Sequence, residues 1–469
     1  MRVKIFFTIF LFILGFNIAF AHIDVVQPAK NQITVNSSTV YFIGNTTENA
    51  DFSINSEPVK LWNNNFFVHV VPVQYGKNKI KLKSVKNGQA EEKIYIVNRK
   101  KTSSGHYTES KFIPKKENEV LYTKTIRPDA TVRSKPSTHS QRLVDLPENV
   151  VLYLSGKKGD FYKIDETGSS EFWIHKSNIE EPVSLSKKIK PRLLKQKHYS
   201  DNMYDYQQFY VSHPVLYTIK QEGNRIKLVL YGVESKNEEG NSVPNYEYYF
   251  EIENPILGYD CTYEENKLIF KKARLPENID INNPLKGLKI FIDAGHGGSD
   301  KGALGPTRVN EKDINLSIAN YLIEILKQSG ADVVYSRIKD TQVGLKDRVK
   351  IAKNNDILIS ISIHNNSLPL SANPYVHHGT EVHYYNENAK LLAEIIKNNL
   401  VNDLNLKDNG IRKSSFALTR STNPVSVLVE VAYMLNPDEY IKLQQDSFQK
   451  NVAISVKKSL EQYMYMLLK

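Results

Sequence analysis

From Leu288 onward the chain alternates short apolar runs with longer segments whose apolar residues recur every three or four positions, and that alternation admits few folds. "LKIFID" reads as a buried strand. "NEKDINLSIANYLIEILKQSG" then predicts a helix with Ile314, Ile318, Leu322, Ile325 and Leu326 on one face, Asn310 as its N-cap and Gly330 past its end. "ADVVYSR", "DILISISIH", "GTEVHYY" and "VSVLVEV" read as further strands. "LKDRVKIAKNN", "ENAKLLAEIIKNNLV" and the C-terminal segment read as helices. The expectation is a mixed sheet with helices on both faces, and such sheets bind ligands beyond the C-terminal ends of their strands.

Before Leu288 the pattern is different: short strands separated by turn-rich pieces, with no helical period. The expected architecture is therefore multidomain, with N-terminal all-β modules followed by a C-terminal α/β domain over residues 286–469. Residues 22–98, with "TVYFIG", "FFVHVVPV", "NKIKLKSV" and "KIYIVN", suit a small β-sandwich and resemble bacterial Ig-like modules. A polar stretch, 99–119, reads as a linker. Residues 120–182 resemble bacterial SH3-like β-barrels, with Val132, Arg133 and Pro136 at their start and Trp173 in the closing strand. Residues 183–197 read as a second linker, strongly basic through "SKKIKPRLLKQK". Residues 198–285 form a third β-rich unit with a hairpin turning at Glu222-Gly223-Asn224.

The N-terminus, "MRVKIFFTIFLFILGFNIAFA", pairs Arg2 and Lys4 with an apolar run and a small-x-small site, the pattern of a signal peptide over residues 1–21. Its apolar stretch is too short for a spanning helix, and no later segment reads as transmembrane. The whole chain of 469 residues carries a formal charge of +11; the leader holds two basic and no acidic side chains, so its removal leaves +9. An exported basic protein meets anionic cell-wall polymer or membrane surface rather than nucleic acid. The two basic linkers are the candidate contacts for such a polymer, the blander reading being solvated surface. Cys261 is the only cysteine, so no intrachain disulfide forms. These features predict a periplasmic or extracellular, cell-wall-associated protein.

Three chemistry-bearing residues fall at the predicted C-terminal strand ends: His296 after "KIFID", His364 at the end of "DILISISIH" and Glu430 at the end of "VSVLVE". Glu311 opens the helix that follows the glycine-rich "GHGGSDKGALG". Neither phosphate-binding glycine pattern occurs in that loop. Two imidazoles and a carboxylate suit zinc with an open position for water. Taken singly, each residue also has a structural reading: a polar strand end, a carboxylate at a helix N-terminus, a solvated acid.

The run of motifs "GLKIFIDAGHGGSDKGALG", "NEKDINL", "SRIKDTQVGLKDRVKIA", "SISIHNN", "GTEVHYY", "DNGIRKSSFALTR" and "VSVLVEVAYMLNPDE" resembles, in order, the zinc-dependent N-acetylmuramoyl-L-alanine amidases. The resemblance implies that His296, Glu311 and His364 bind Zn²⁺ and that Glu430 is the catalytic carboxylate. It further implies hydrolysis, by a zinc-activated water with Glu430 as general base, of the peptidoglycan amide joining muramic acid to L-alanine. Ala294 and Asn365 depart from the family's usual residues beside the ligands, and Val431-Ala432-Tyr433 departs after Glu430. Only "NNSLPLSANPYVHH" separates His364 from Gly379, so no blocking helix is expected there. His377, His378 and His383 read as surface or strand residues, and Asn366 as orienting His364 or substrate, or as a turn residue. A zinc peptidase acting on the stem peptide and a non-catalytic wall-binding protein are the alternatives.

Overall fold

The computed structural model describes residues 20–101, 110–165, 171–236, 242–252, 256–276 and 279–468. Most of the expected leader, residues 1–19, lies outside the described residues. Among those described, no helix is long and apolar enough to cross a membrane.

The apolar run "VYFI" shows how the N-terminal unit is placed. Thr39–Thr46 is the middle strand of a three-stranded sheet, between Ile23–Gln27 and Phe66–Pro72. Side chains alternate across a strand, so Val40 and Phe42 point into the sandwich core, where they meet Phe52, Phe67 and Leu82. Tyr41 and Ile43 point the other way, into the core of the C-terminal unit. A strand covered on both faces needs no polar positions, which accounts for the unbroken run. The facing sheet has five strands, including the long hairpin Gly76–Lys86 and Gln89–Arg99.

The next sheet has eight strands, with Val151–Lys158, Phe161–Ile164 and Trp173–His175 as consecutive neighbours. Two segments read as linkers in the sequence contribute strands. Phe112–Pro114 pairs with Val151–Lys158, and Val183–Leu185 pairs with Val120–Lys124. Leu193–Ser200, at the end of the basic stretch, is likewise an edge strand beside Tyr204–Val211. Phe112–Pro114 and Val183–Leu185 were hidden by their length of three residues, and Leu193–Ser200 by its polar composition, which an edge strand tolerates.

Leu193–Ser200, Tyr204–Val211, Lys267–Ala273 and Tyr259–Glu264 make a four-stranded sheet, and Tyr217–Glu222, Arg225–Leu230 and Tyr246–Glu251 a three-stranded one. The expected hairpin is present: Glu222 pairs with Arg225 across Gly223-Asn224, with Gly223 at φ +61°. Leu152, Leu154 and Ile174 of the eight-stranded sheet share one core with Phe209, Leu228 and Phe270 of these two sheets. Units this small bury too little surface alone, and pooling a core answers that.

The C-terminal unit has strands β1 (Lys289–Ala294), β2 (Asp332–Tyr335), β3 (Ile359–Asn366), β4 (Thr380–Tyr384), β5 (Asp408–Lys413) and β6 (Val425–Tyr433). Its helices are α1 (Glu311–Gln328), α2 (Leu345–Asn354), α3 (Lys390–Leu404), α4 (Pro437–Leu443) and α5 (Asp446–Leu467). The sheet order is β2-β1-β3-β6-β4-β5, with β4 antiparallel to β6 and parallel to β5. Ile290 and Ile292 lie in the core that α1, α3 and α5 cover. Phe291 turns to the other face and packs with Ala352 of α2. Helix α1 ends as expected, with Ser329 as cap and Gly330 at φ +78°. Asn310 is its N-cap residue, but its amide donates to Asp313 and makes no capping bond. Helix α4, capped by Asn436 with Pro437 first, and the polar edge strand β5 were absent from the sequence reading.

The N-terminal sandwich holds two loops of this unit. Tyr41 hydroxyl donates to the Leu368 carbonyl at 2.8 Å, Tyr375 hydroxyl donates to the Val68 carbonyl at 2.6 Å, and Asn45 donates to the Pro306 carbonyl at 3.1 Å.

Candidate metal centre

Parallel pairing of β1, β3 and β6 sets the geometry. The three strands run in register, so their C-terminal ends lie on one edge and His364 stands directly beside Glu430. Glu311 begins α1, where the positive helix end favours a carboxylate. His296 sits in the loop after β1 at φ +59°, a left-handed conformation that costs a non-glycine residue energy.

That conformation is held by two buried arginines. Arg348 pairs with Asp293 and donates to the carbonyls of Ala294 at 2.7 Å and His296 at 2.6 Å. Arg337 donates to the carbonyls of Ala294 at 3.0 Å, Gly295 at 2.9 Å and Lys312 at 2.9 Å. Asp293 also accepts from Ser362 of β3 at 2.6 Å, tying the loop's root to the neighbouring strand.

Glycine is required here for ligand-to-ligand packing. A Cβ on Gly295 would lie 2.3 Å from the His364 ring, and one on Gly302, at φ +65°, would lie 2.4 Å from Glu311 Oε2. The loop's missing side chains let the candidate ligands touch.

The structure brings His296, Glu311 and His364 together, with one donor atom from each within 4.8 Å of the others. Glu311 Oε2 is 3.2 Å from His296 Nε2, and Oε1 is 3.0 Å from His364 Nδ1. Backbone and amide donors orient the same carboxylate: Ala303 N–H at 2.8 Å, Asn315 Nδ2 at 3.0 Å and Asn365 N–H at 3.2 Å. Asp300 Oδ1 lies 2.9 Å from His296 Nδ1.

Burial opposes the charge on Glu311, but the two imidazoles outweigh it and hold its carboxyl well below the ordinary range. Burial likewise works against a charged His296, and Glu311 followed by Asp300 overcomes it, raising the ring to about 9. His364 is raised as well, burial being outweighed chiefly by Glu311 and then by Glu430. All three shifts run in the direction that favours positive charge beside the Glu311 carboxylate. Two imidazole nitrogens and a carboxylate at this spacing match the donor set of a divalent metal site.

Glu430 stands apart electrostatically. Burial pushes its carboxyl up to about 7, with His364 pulling partly against that and Glu311 adding to it. Its Oε2 is buried with no hydrogen-bond partner among the described residues. An acid near neutrality with a spare oxygen is suited to taking and returning a proton.

The other candidate residues fall elsewhere. His383 is buried on β4 between Glu381 and Ser414, and His378 pairs with Glu439 at 2.8 Å. Asn366 turns from His364 and donates to Glu381 Oε1 at 3.0 Å. Glu381, which pairs across strands with Glu430, also accepts from Asn409 at 2.6 Å and Arg412 at 2.8 Å. The sequence reading missed Asp293, Asp300, Arg337, Arg348 and Glu381; the "GTEVHYY" motif was the available signal for the last.

The family profile described as N-acetylmuramoyl-L-alanine amidase matches residues 290–462, which include all four residues. The uncharacterized protein YqiI of Bacillus subtilis (strain 168) is 35% identical over 184 residues, covering 38% of this chain and 86% of that protein. N-acetylmuramoyl-L-alanine amidase LytC of the same organism is 36% identical over 180 residues, covering 38% of this chain and 35% of LytC. The catalytic domain of CwlV, an N-acetylmuramoyl-L-alanine amidase from Bacillus (Paenibacillus) polymyxa var. colistinus, is 38% identical over 38% of this chain and 97% of that one, with a TM-score of 0.35. The chain thus spans about a third of LytC. Through its C-terminal α/β unit, this chain belongs to the N-acetylmuramoyl-L-alanine amidase family.

Proposed function

We propose that the protein is an exported, zinc-dependent peptidoglycan hydrolase that cleaves the amide between N-acetylmuramic acid and L-alanine of the stem peptide. The observation that carries this reading is the Glu311 carboxylate between His296 and His364, with the unpartnered Glu430 oxygen beside His364. His296, Glu311 and His364 would hold the ion. Zinc bound there supplies Lewis acidity toward the scissile carbonyl and toward water.

Glu430 takes the proton from the attacking water and passes it to the departing alanine nitrogen, which leaves as an amine rather than an amide anion. Asn315 and the Asn365 N–H fix the orientation of Glu311, and Arg337 and Arg348 fix that of the His296 backbone. The upstream units act in this reading as Ig-like and SH3-like wall-associated modules.

Digestion of purified peptidoglycan by the mature protein, with and without chelator, tests the reading. New N-terminal alanine without new reducing sugar ends is expected. Internal stem-peptide termini would establish a zinc peptidase instead, and no products a binding protein.

A further inference from the structure

The four-stranded sheet of the third β unit carries an open groove of about 370 Å³. It lies on sheet strands well outside the residues of the metal centre. Strand register defines its floor. Tyr199, Tyr206, Lys271 and Asp260 form one row across all four strands, and Lys197, Gln208, Ile269 and Thr262 form the next. The alternate residues Phe209, Leu268 and Phe270 point inward to the shared core, so the groove is the outer face of a firmly backed sheet.

Its chemistry is distinctive. Tyr199 and Tyr206 stack with ring centres 4.6 Å apart, and Tyr199, on the edge strand, stays 44% exposed. Gln208 links the tyrosines, donating to Tyr199 hydroxyl at 3.2 Å and accepting from Tyr210 hydroxyl at 3.1 Å. Two carboxylates, Asp260 and Glu264, balance two ammonium groups, Lys267 and Lys271, with Lys267 and Glu264 paired at 2.8 Å. The groove lining thus carries no net charge of its own, while Lys195 and Lys197 beside it lie over the Tyr210 ring. It offers an aromatic surface beside paired donors and acceptors, which matches a neutral ring with an apolar face and a rim of hydroxyl and acetamido groups.

We infer that this groove binds the glycan strand of peptidoglycan through its N-acetylated hexosamine rings. Sugar C–H faces pack on the tyrosines while Gln208, Thr262 and the balanced charges meet the polar rim. The site is independent of the metal, so it holds glycan whether or not the α/β unit is active.

Titration of the full mature chain with β-1,4-linked N-acetylglucosamine tetramer, followed by calorimetry and tyrosine fluorescence, tests this. Saturable binding is expected, weakened roughly three- to tenfold by Tyr199→Ala and abolished by Thr262→Arg, which fills the groove. Tyr249→Ala, an exposed tyrosine on the other sheet, and Glu430→Gln are expected to bind like wild type. The proposal is overturned by absence of saturable binding, by undiminished binding in both groove variants, or by binding of poly(glycerol phosphate) alone. Tetramer binding in a protein that releases no alanine termini would refute the amidase reading and leave this one standing.

Discussion

Arg308 grips Asp24 with two parallel hydrogen bonds, Nε to Oδ2 at 2.5 Å and Nη2 to Oδ1 at 2.7 Å, across 284 positions of chain. Arg308 belongs to the loop between His296 and Glu311, so the N-terminal sandwich bears directly on the segment connecting two candidate ligands. The Arg308 hydrogen bond outweighs burial and lowers the Asp24 carboxyl below its ordinary value of 3.8. A depressed carboxyl contributes stability above its unfolded value, and that contribution disappears as pH falls through the lower, folded value. Asp24→Asn should therefore lower the melting temperature slightly at pH 7, by the equivalent of about 0–1 kcal/mol for a partly exposed pair. The difference should shrink as pH falls through the folded value and vanish once the carboxyl is protonated in both states. Melting curves of the two proteins across pH check this; a gap that widens in acid would contradict it.

Glu430→Gln should keep its metal and lose turnover by roughly 10²–10⁴-fold, the usual contribution of a positioned general base. Metal content by elemental analysis and muropeptide release measure the two effects separately. Since Glu430 is pushed up to about 7 by burial, wild-type kcat/KM should rise with pH along an acid limb ending at or below that value, because a bound cation favours the ionised form. The substitution should remove that limb from any residual activity.

Chelation should abolish activity and lower the melting temperature, and added zinc should restore both. Glu311→Gln removes the charge that both imidazoles face, so its melting temperature should no longer respond to zinc. At a hundredfold excess over the dissociation constant, the wild-type gain is about 2.7 kcal/mol. Calorimetric scans with zinc and with chelator give the comparison.

Gly302→Ala changes no proposed ligand, yet its Cβ would lie 2.4 Å from Glu311 Oε2 and 2.7 Å from the His296 ring at a positive φ. Zinc affinity should fall at least tenfold while far-ultraviolet circular dichroism stays native. Competition against a chromophoric chelator reads the affinity.

The candidate ligands were legible because each sits at a boundary that periodicity marks: His364 and Glu430 at the ends of apolar strands, His296 just beyond one, Glu311 at a helix start. Their supports were not. Arg337 lies in "SRIKDTQ" and Arg348 in "LKDRVK", polar runs that look solvated, yet both are 3% exposed because the glycine loop folds over them. "DNGIRK" is too polar to signal a strand, and only pairing with β4 makes it one. The C-terminal α/β layering and the β-rich upstream region followed from the pattern. The edge strands inside the expected linkers did not, since two are only three residues long and the third, Leu193–Ser200, is mostly polar.

The third β unit is joined to the α/β unit without a free tether: Tyr204 hydroxyl accepts from Asn423 at 3.3 Å, Tyr259 N–H donates to the Thr422 carbonyl at 3.1 Å, and Tyr463 hydroxyl donates to the Ile256 carbonyl at 3.4 Å. A flexible linker would let the cutting centre sample a cloud of positions around any anchored point. These contacts replace the cloud with a fixed offset. A glycan held on the sheet would be met by the α/β unit at a set number of sugars away, so the protein would act as a ruler that strips stem peptides at a fixed spacing from the held rings and leaves the sugar chain uncut.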